Sequence, residues 1–295
     1  MKLSVRQNKL VLGTAQFGSN YGITNKNIIG EKEAKEILKF CYKNNIKEID
    51  TAIDYKKCEE ILGTINLTNY KISTKLSKKN KKIKNIEKWI NDEVTRSLKK
   101  LNQSSVNTLY LHNPRDLLGD NGLEIYQAIK LLKSNRIIKN IGISIYSPET
   151  MIEIISQFKI DVVQFPLNIL DNRFNKQTII SELKKQSIKV YIRSIFLQGL
   201  LITRSNNHHI YFKKWHRVFR KWESWLAENN LSATEVCLNH ALSSIKEAKV
   251  VLGISSLDDL IEISNQRTDN IPTIPSDIKC NDLELIDPRK WDLQS

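Results

Sequence analysis

Short apolar runs alternate along the chain with longer segments whose apolar residues recur at helical spacing. The runs are KLVLG near Leu12, IKEID ending at Asp50, YKISTK ending at Lys75, VNTLYLH ending at His112, IKNIGIS ending at Ser144, DVVQFP ending at Pro166, IKVYIRS ending at Ser194 and AKVVLG ending at Gly253. They are rich in Val, Ile and Leu without strict alternation, as parallel strands buried on both faces should be. Between them, EKEAKEILKFCYKNN puts Ala34, Ile37, Leu38 and Cys41 on one face, and NIEKWINDEVTRSLKKL does the same with Trp89, Ile90, Val94, Leu98 and Leu101. GLEIYQAIKLLKSN, SPETMIEIISQF, NKQTIISELKKQ, SATEVCLNHALSSI and SLDDLIEISNQ continue the pattern, with Ser147 and Ser232 as helix starts.

Eight alternating β/α units predict a (β/α)8 TIM barrel, an α/β fold. The chain reads as one domain over 1–295, with its core at about 10–268, an extended loop after strand seven, and a tail at about 269–295 over one barrel end. A doubly wound sheet is the alternative. It wants a G-x-G-x-x-G turn after an early strand, and LGTAQFGSNYG does not supply one.

Composition narrows the function classes. The net charge of +14 would suit a polyanion, but the lysines are spread along the chain, apart from a cluster at 75–85. No finger, helix-turn-helix or RNA-binding aromatic motif accompanies them, so no specific nucleic-acid partner is expected. Anionic small molecules fit the charge better. No apolar run is long enough to span a bilayer, and the N-terminus lacks a signal-peptide stretch, so a cytoplasmic protein with no membrane partner is expected. The four cysteines include no C-x-x-C pair, which argues against a zinc cluster or a disulfide framework.

In a barrel of this kind the carboxyl ends of the strands share one face. Asp50, Lys75 and His112 end predicted strands two, three and four, and Tyr55 follows strand two. A buried carboxylate is costly unless paired, and Lys75 is the expected partner of Asp50. A free tyrosine has a pKa of about 10 and holds its proton at neutral pH; a neighbouring ammonium should lower that pKa. Singly, each residue has a plainer reading: a structural ion pair, a packing tyrosine, a core histidine. Together, on neighbouring strand ends, the four would line one pocket.

The pattern GTAQFG, IDTAIDY, STK, LYLHNP, IGIS, VVQFPLN and VLGISS resembles the aldo-keto reductases along nearly the whole chain, and the LGTAQFG opening is similar to bacterial members of surface-sugar pathways. The resemblance implies a catalytic tetrad: Tyr55 as proton donor, Lys75 as its tuner, Asp50 as the anion orienting Lys75, and His112 orienting the carbonyl. It also implies a nicotinamide cofactor. Ser144 and Gln164 match the positions that hold its carboxamide, although Ile145 replaces the usual Asn. Arg193, followed by Ser194, stands where an aromatic residue normally stacks on the nicotinamide, and Gly13 and Thr14 lie near the ribose.

At the adenine end, Gly253 and Asp259 replace the basic residues that grip a 2′-phosphate, while Glu262 matches an adenine contact. Ser255 and Ser256 offer hydroxyl and backbone donors to a phosphate. The resemblance places NADPH ahead of NADH, while Asp259 suits a ribose hydroxyl; alternatively, Asp258 and Asp259 simply complement a helix N-terminus.

The expected activity is reduction of a small aldehyde or ketone, with an anionic or nucleotide-linked sugar as one candidate substrate. A cofactor-binding regulatory subunit without turnover, and a barrel lyase or isomerase sharing only the fold, are the alternatives. After strand seven, TRSNNHHIYFKKWHRVFRKWESW carries Arg204, Lys213, Lys214 and Arg217, which could attract an anion, and Tyr211 and Trp215, which could stack on a ring. A solvated amphipathic helix is the simpler reading. His208, His209 and His216 lack acidic or cysteine companions, so no metal is expected.

Overall fold

The computed structural model describes residues 8–20, 22–23, 27–79, 83–266 and 271–293. The extreme N-terminus, the middle of the lysine cluster and the start of the expected tail lie outside the described residues.

Eight parallel strands close into a barrel in sequence order. They are β1 (Leu10–Gly13), β2 (Glu48–Asp50), β3 (Lys71–Leu76), β4 (Val106–Leu111), β5 (Ile138–Ser144), β6 (Val162–Pro166), β7 (Lys189–Arg193) and β8 (Lys249–Gly253). The main helices are α1 (Glu31–Lys43), α2 (Cys58–Gly63), α3 (Ile86–Leu101), α4 (Gly122–Ser134), α5 (Pro148–Gln157), α6 (Gln177–Lys185), α7 (His216–Glu228), α8 (Ala233–Ser244), α9 (Leu257–Asn265) and the short α10 (Leu283–Ile286). The Ser147 and Ser232 hydroxyls accept the Thr150 and Glu235 amides and cap α5 and α8. Among the described residues, no helix is long and apolar enough to cross a membrane.

Strand residues point alternately into the barrel and out toward the helices. This divides the apolar residues into two clusters. The larger lies between strands and helices and includes Leu10, Leu12, Ile49, Leu109, Ile143, Phe165 and Leu252; the smaller, inside the barrel, is Val11, Tyr110, Val162, Tyr191 and Val251. Gly142 faces Tyr110 there, and a Cβ at that position would sit 2.5 Å from the ring. The rest of the interior is polar. At the floor, Glu48 accepts the Tyr191 hydroxyl at 2.8 Å and a hydrogen bond from Lys249.

The β7–α7 connection and the C-terminal tail pack on each other. Trp215 Nε1 donates to Asp282 at 2.9 Å, the Tyr211 hydroxyl donates to the Glu284 carbonyl at 3.0 Å, Lys214 pairs with Glu284, and Phe212 meets Trp291 edge to face. Tyr211, Phe212, Lys214 and Trp215 of this insert are therefore engaged in holding the tail. Arg204, Lys213, Lys214 and Arg217 are exposed, and none lines the cavity described below.

Candidate active site

A cavity of about 400 Å³ opens at the carboxyl ends of the strands. Asp50, Tyr55, Lys75 and His112 meet in its lining. Lys75 is 2 % exposed and Asp50 is 6 % exposed. Lys75 Nζ donates to Asp50 Oδ2 at 2.5 Å and to the Thr51 carbonyl at 2.8 Å. Removing either charge from such a buried pair strands the other, at about 3–5 kcal/mol.

Tyr55 lies on the turn leading to α2. Lys75 Nζ is 5.2 Å from its ring centroid, and the His112 ring meets it edge-on at 6.4 Å. The Tyr55 phenol is raised above its ordinary value, first by burial and then by the Asp50 carboxylate, with the Arg193 guanidinium opposing. This reverses the sequence expectation. Lys75 does sit beside Tyr55, but Asp50 already neutralises its charge, and Asp50 itself disfavours a second anion nearby.

Two features of this site were not foreseen. His112 Nδ1 lies 3.5 Å from Asp54 Oδ2, and this contact is the main reason Asp54 is held below the usual carboxylate range. Tyr146 lines the cavity between two guanidinium groups, with Arg193 4.0 Å and Arg289 3.7 Å from its ring centroid. Asp54 sits inside the quoted tetrad segment, so its proximity to Tyr55 was a usable signal. Nothing in the sequence joins Tyr146 to the tail.

The other expected residues extend along the cavity. Gly13, Thr14, Ser144, Arg193, Ser194, Gly253, Ser255, Asp259 and Glu262 line it. Thr14 is fixed by its amide and hydroxyl, both donating to the Asp50 carbonyl, and the buried Cys58 thiol donates to Thr14. A Cβ on Gly253 would meet nothing within 4 Å, so the wall there is open to a ligand. Ser194, Leu197 and Gln198 hold positive φ values of 58°, 47° and 54°, a costly backbone for side-chain-bearing residues. Asn168 braces the first of them by donating to the Ser194 carbonyl at 3.1 Å.

Three expected contacts take another form. Gln164 is fully buried at 0 % exposure and is not part of the cavity wall; its amide accepts from the Ser144 hydroxyl and donates to Asp50. Arg193 stacks one face on Tyr146. Ser256 lies off the cavity and caps α9 by accepting the Asp259 amide. The Ser255 amide and hydroxyl donate to Asp259, so the donors expected to meet a phosphate are already spent on a carboxylate. His208 and His216 contact backbone carbonyls, and no group of three or more His, Cys, Asp or Glu converges among the described residues.

The Aldo/keto reductase family model matches residues 9–271. The chain is similar to D-arabinose 1-dehydrogenase of Saccharomyces cerevisiae, at 25 % identity over 276 residues, covering 85 % of this chain and 80 % of that protein. Among solved structures, it resembles the holo form of an aldo-keto reductase from Bacillus halodurans, with a TM-score of 0.69, 20 % identity and coverage of 90 % and 88 % of the two chains. It also resembles the glycerol dehydrogenase of Gluconobacter oxydans, with a TM-score of 0.66, 19 % identity and coverage of 96 % and 94 %. These solved relatives share the barrel.

Proposed function

Because this chain belongs to the aldo/keto reductase family, whose activity is carbonyl oxidoreduction, we propose that it reduces a sugar or polyol aldehyde or ketone, with Tyr55 as proton donor. The observation that carries this reading is the meeting of Tyr55, His112 and the Lys75–Asp50 pair in the lining of a single cavity. The names of the relatives, an arabinose dehydrogenase and a glycerol dehydrogenase, support a polyhydroxylated substrate.

The cavity suits a nicotinamide dinucleotide. Gly253 leaves an open wall, Ser144 and Gly13 lie near the tetrad, and Asp259 and Glu262 line the same cavity. When bound, the cofactor supplies the hydride. With a carbonyl substrate in place, the Tyr55 O–H would pass its proton to the substrate oxygen. A raised phenol keeps this proton in place until negative charge develops on that oxygen. The phenolate left behind lies near Lys75 and Arg193, and it recovers a proton from water. His112, with Nδ1 toward Asp54, is placed to orient the carbonyl oxygen.

The lining favours NADH over NADPH, against the preference that family resemblance alone suggested. Asp259 and Glu262 line the cavity, and among its described lining residues the basic side chains are Lys75, His112 and Arg193. Lys75 and His112 belong to the tetrad, and Arg193 stands against Tyr146. A ribose hydroxyl can donate to a carboxylate, whereas a 2′-phosphate is repelled. Fluorescence titration of the purified protein with each dinucleotide, followed by aldehyde reduction assays, tests the proposal. Quenching with turnover supports it; binding without turnover indicates a regulatory protein; no binding of either removes the redox reading.

A further inference from the structure

Granted the reductase reading above, on which this rests, we propose that Tyr146 is a specificity-determining residue: its hydroxyl receives a substrate hydroxyl close to the carbonyl, so that hydroxylated aldehydes and ketones are preferred over plain ones. Tyr146 follows β5 by two residues and lines the same cavity as Tyr55. The two phenols are near enough for the charge of one to oppose ionisation of the other. The cavity thus presents a second phenol beside the proton donor.

Both faces of the Tyr146 ring are occupied. The Arg193 and Arg289 guanidinium carbons lie 4.0 Å and 3.7 Å from its centroid. Two like charges this close to one centre cannot share a face, so the ring is held between them. Both arginines are held in turn. Arg193 Nη1 donates to the Ser194 hydroxyl at 3.3 Å. Arg289 Nε donates to Asp287 Oδ1 at 2.8 Å, and that carboxylate is buried. With its faces covered, Tyr146 cannot be a flat platform for a nicotinamide or adenine ring. It can offer a ligand only its edge and its hydroxyl.

That hydroxyl is available. Among the described residues it makes no hydrogen bond. A phenol both donates and accepts, as an alcohol does, so the two are matched partners. Because the ring is already clamped, little freedom is lost when a ligand engages it. Tyr55 must reach the carbonyl oxygen to pass its proton. A substrate group that meets Tyr146 at the same time therefore lies within a few atoms of that carbonyl.

The test measures kcat/KM for D,L-glyceraldehyde and for propanal, the same three-carbon aldehyde without hydroxyls, in wild type and Tyr146→Phe at saturating dinucleotide. Phenylalanine keeps a ring between the arginines and removes only the hydroxyl. The expected result is a fall of about tenfold with glyceraldehyde, the scale of one hydrogen bond between uncharged groups, and a change below about twofold with propanal. Dinucleotide affinity should stay within about twofold of wild type. An unchanged ratio of the two aldehydes overturns the proposal. A loss of about tenfold in dinucleotide affinity, with both aldehydes affected alike, also overturns it and makes Tyr146 a cofactor contact.

Arg289→Ala is the second variant, since it uncovers one face of the ring and keeps the hydroxyl. It should lower the same ratio several-fold; a ratio equal to wild type overturns the clamping by the tail. Wild type that reduces neither aldehyde removes the reductase reading and this proposal with it. Reduction of both aldehydes with the same ratio in wild type and Tyr146→Phe removes this proposal alone.

Discussion

The Arg289 guanidinium lies 3.7 Å from the centroid of the Tyr146 ring, so a residue of the C-terminal tail holds a residue of the active-site wall. Asp287 secures the arginine by accepting from both Nε and Nη2. Arg289→Ala should cost about 1–3 kcal/mol in a denaturant titration, because it removes the cation–π contact and leaves the buried Asp287 carboxylate without its guanidinium donors. It should also give a several-fold rise in KM for aldehyde, with cofactor affinity unchanged. Steady-state kinetics and dinucleotide titration on the same preparation check both.

Tyr55→Phe removes the proposed acid while keeping the ring against Lys75. Turnover should fall by about 10²–10⁴-fold, the contribution of a positioned acid, while the cofactor still quenches. Unchanged turnover would remove Tyr55 as the donor.

Asp259 accepts two hydrogen bonds from Ser255 while lining the cavity. Asp259→Asn removes a negative charge without removing the side chain. NADPH affinity should improve by roughly three- to tenfold, the effect of deleting one nearby like charge in a partly solvated site, and NADH affinity should change little. Equal shifts for both cofactors would place the 2′-phosphate away from this residue.

Gly142→Ala should destabilise the barrel by about 1–3 kcal/mol, the usual cost of overpacking. The added methyl would lie 2.5 Å from Tyr110 Cδ1 and 3.0 Å from Thr108 Cγ2. Tyr110 is fully buried and cannot swing aside. A denaturation midpoint equal to wild type would contradict this packing.

His240 gives a pH signature. Burial is the main cause that lowers it from 6.5 to about 4, followed by the Lys279 charge. The unfolded chain therefore binds a proton at His240 between these values while the folded chain does not. The stability associated with a neutral His240 is present above about pH 6.5 and is lost progressively as pH falls to about 4, up to a total of about 3 kcal/mol. His240→Gln should flatten this part of the profile of denaturation midpoint against pH.

Much of this molecule is legible in the sequence, because buried parallel strands announce themselves as Val/Ile/Leu runs. All eight strands appear where those runs lie, and Asp50, Lys75 and His112 stand at or just beside strand ends. Helix α2 was not foreseen because six residues are too few to show a period. The acidity of Tyr55 was read in the wrong direction, since a sequence displays neighbours but not whether a lysine has already been neutralised. Alternation places Gln164 inside the barrel, yet no one-dimensional pattern shows that its amide reaches Asp50 on the opposite wall. The dense basic and aromatic residues of the insert after β7 allow a substrate-facing surface as one reading and a solvated amphipathic helix as the simpler one, and neither reading includes the tail. The partners of these residues, Asp282 and Glu284, lie in a tail that sequence distance hides.

The separation of the barrel's apolar residues into an outer cluster and a smaller inner one has a consequence for how this protein can change. Positions such as Leu12, Ile143 and Leu252 belong to a different packing unit from Val11, Tyr110 and Val251. A directed-evolution library confined to the outer unit would therefore explore durability with little disturbance of the chemistry. One confined to the inner unit would reshape the barrel interior beneath the site, where Val251 reaches the cavity and Tyr110 packs on Gly142. The two searches can be run separately and their winners combined.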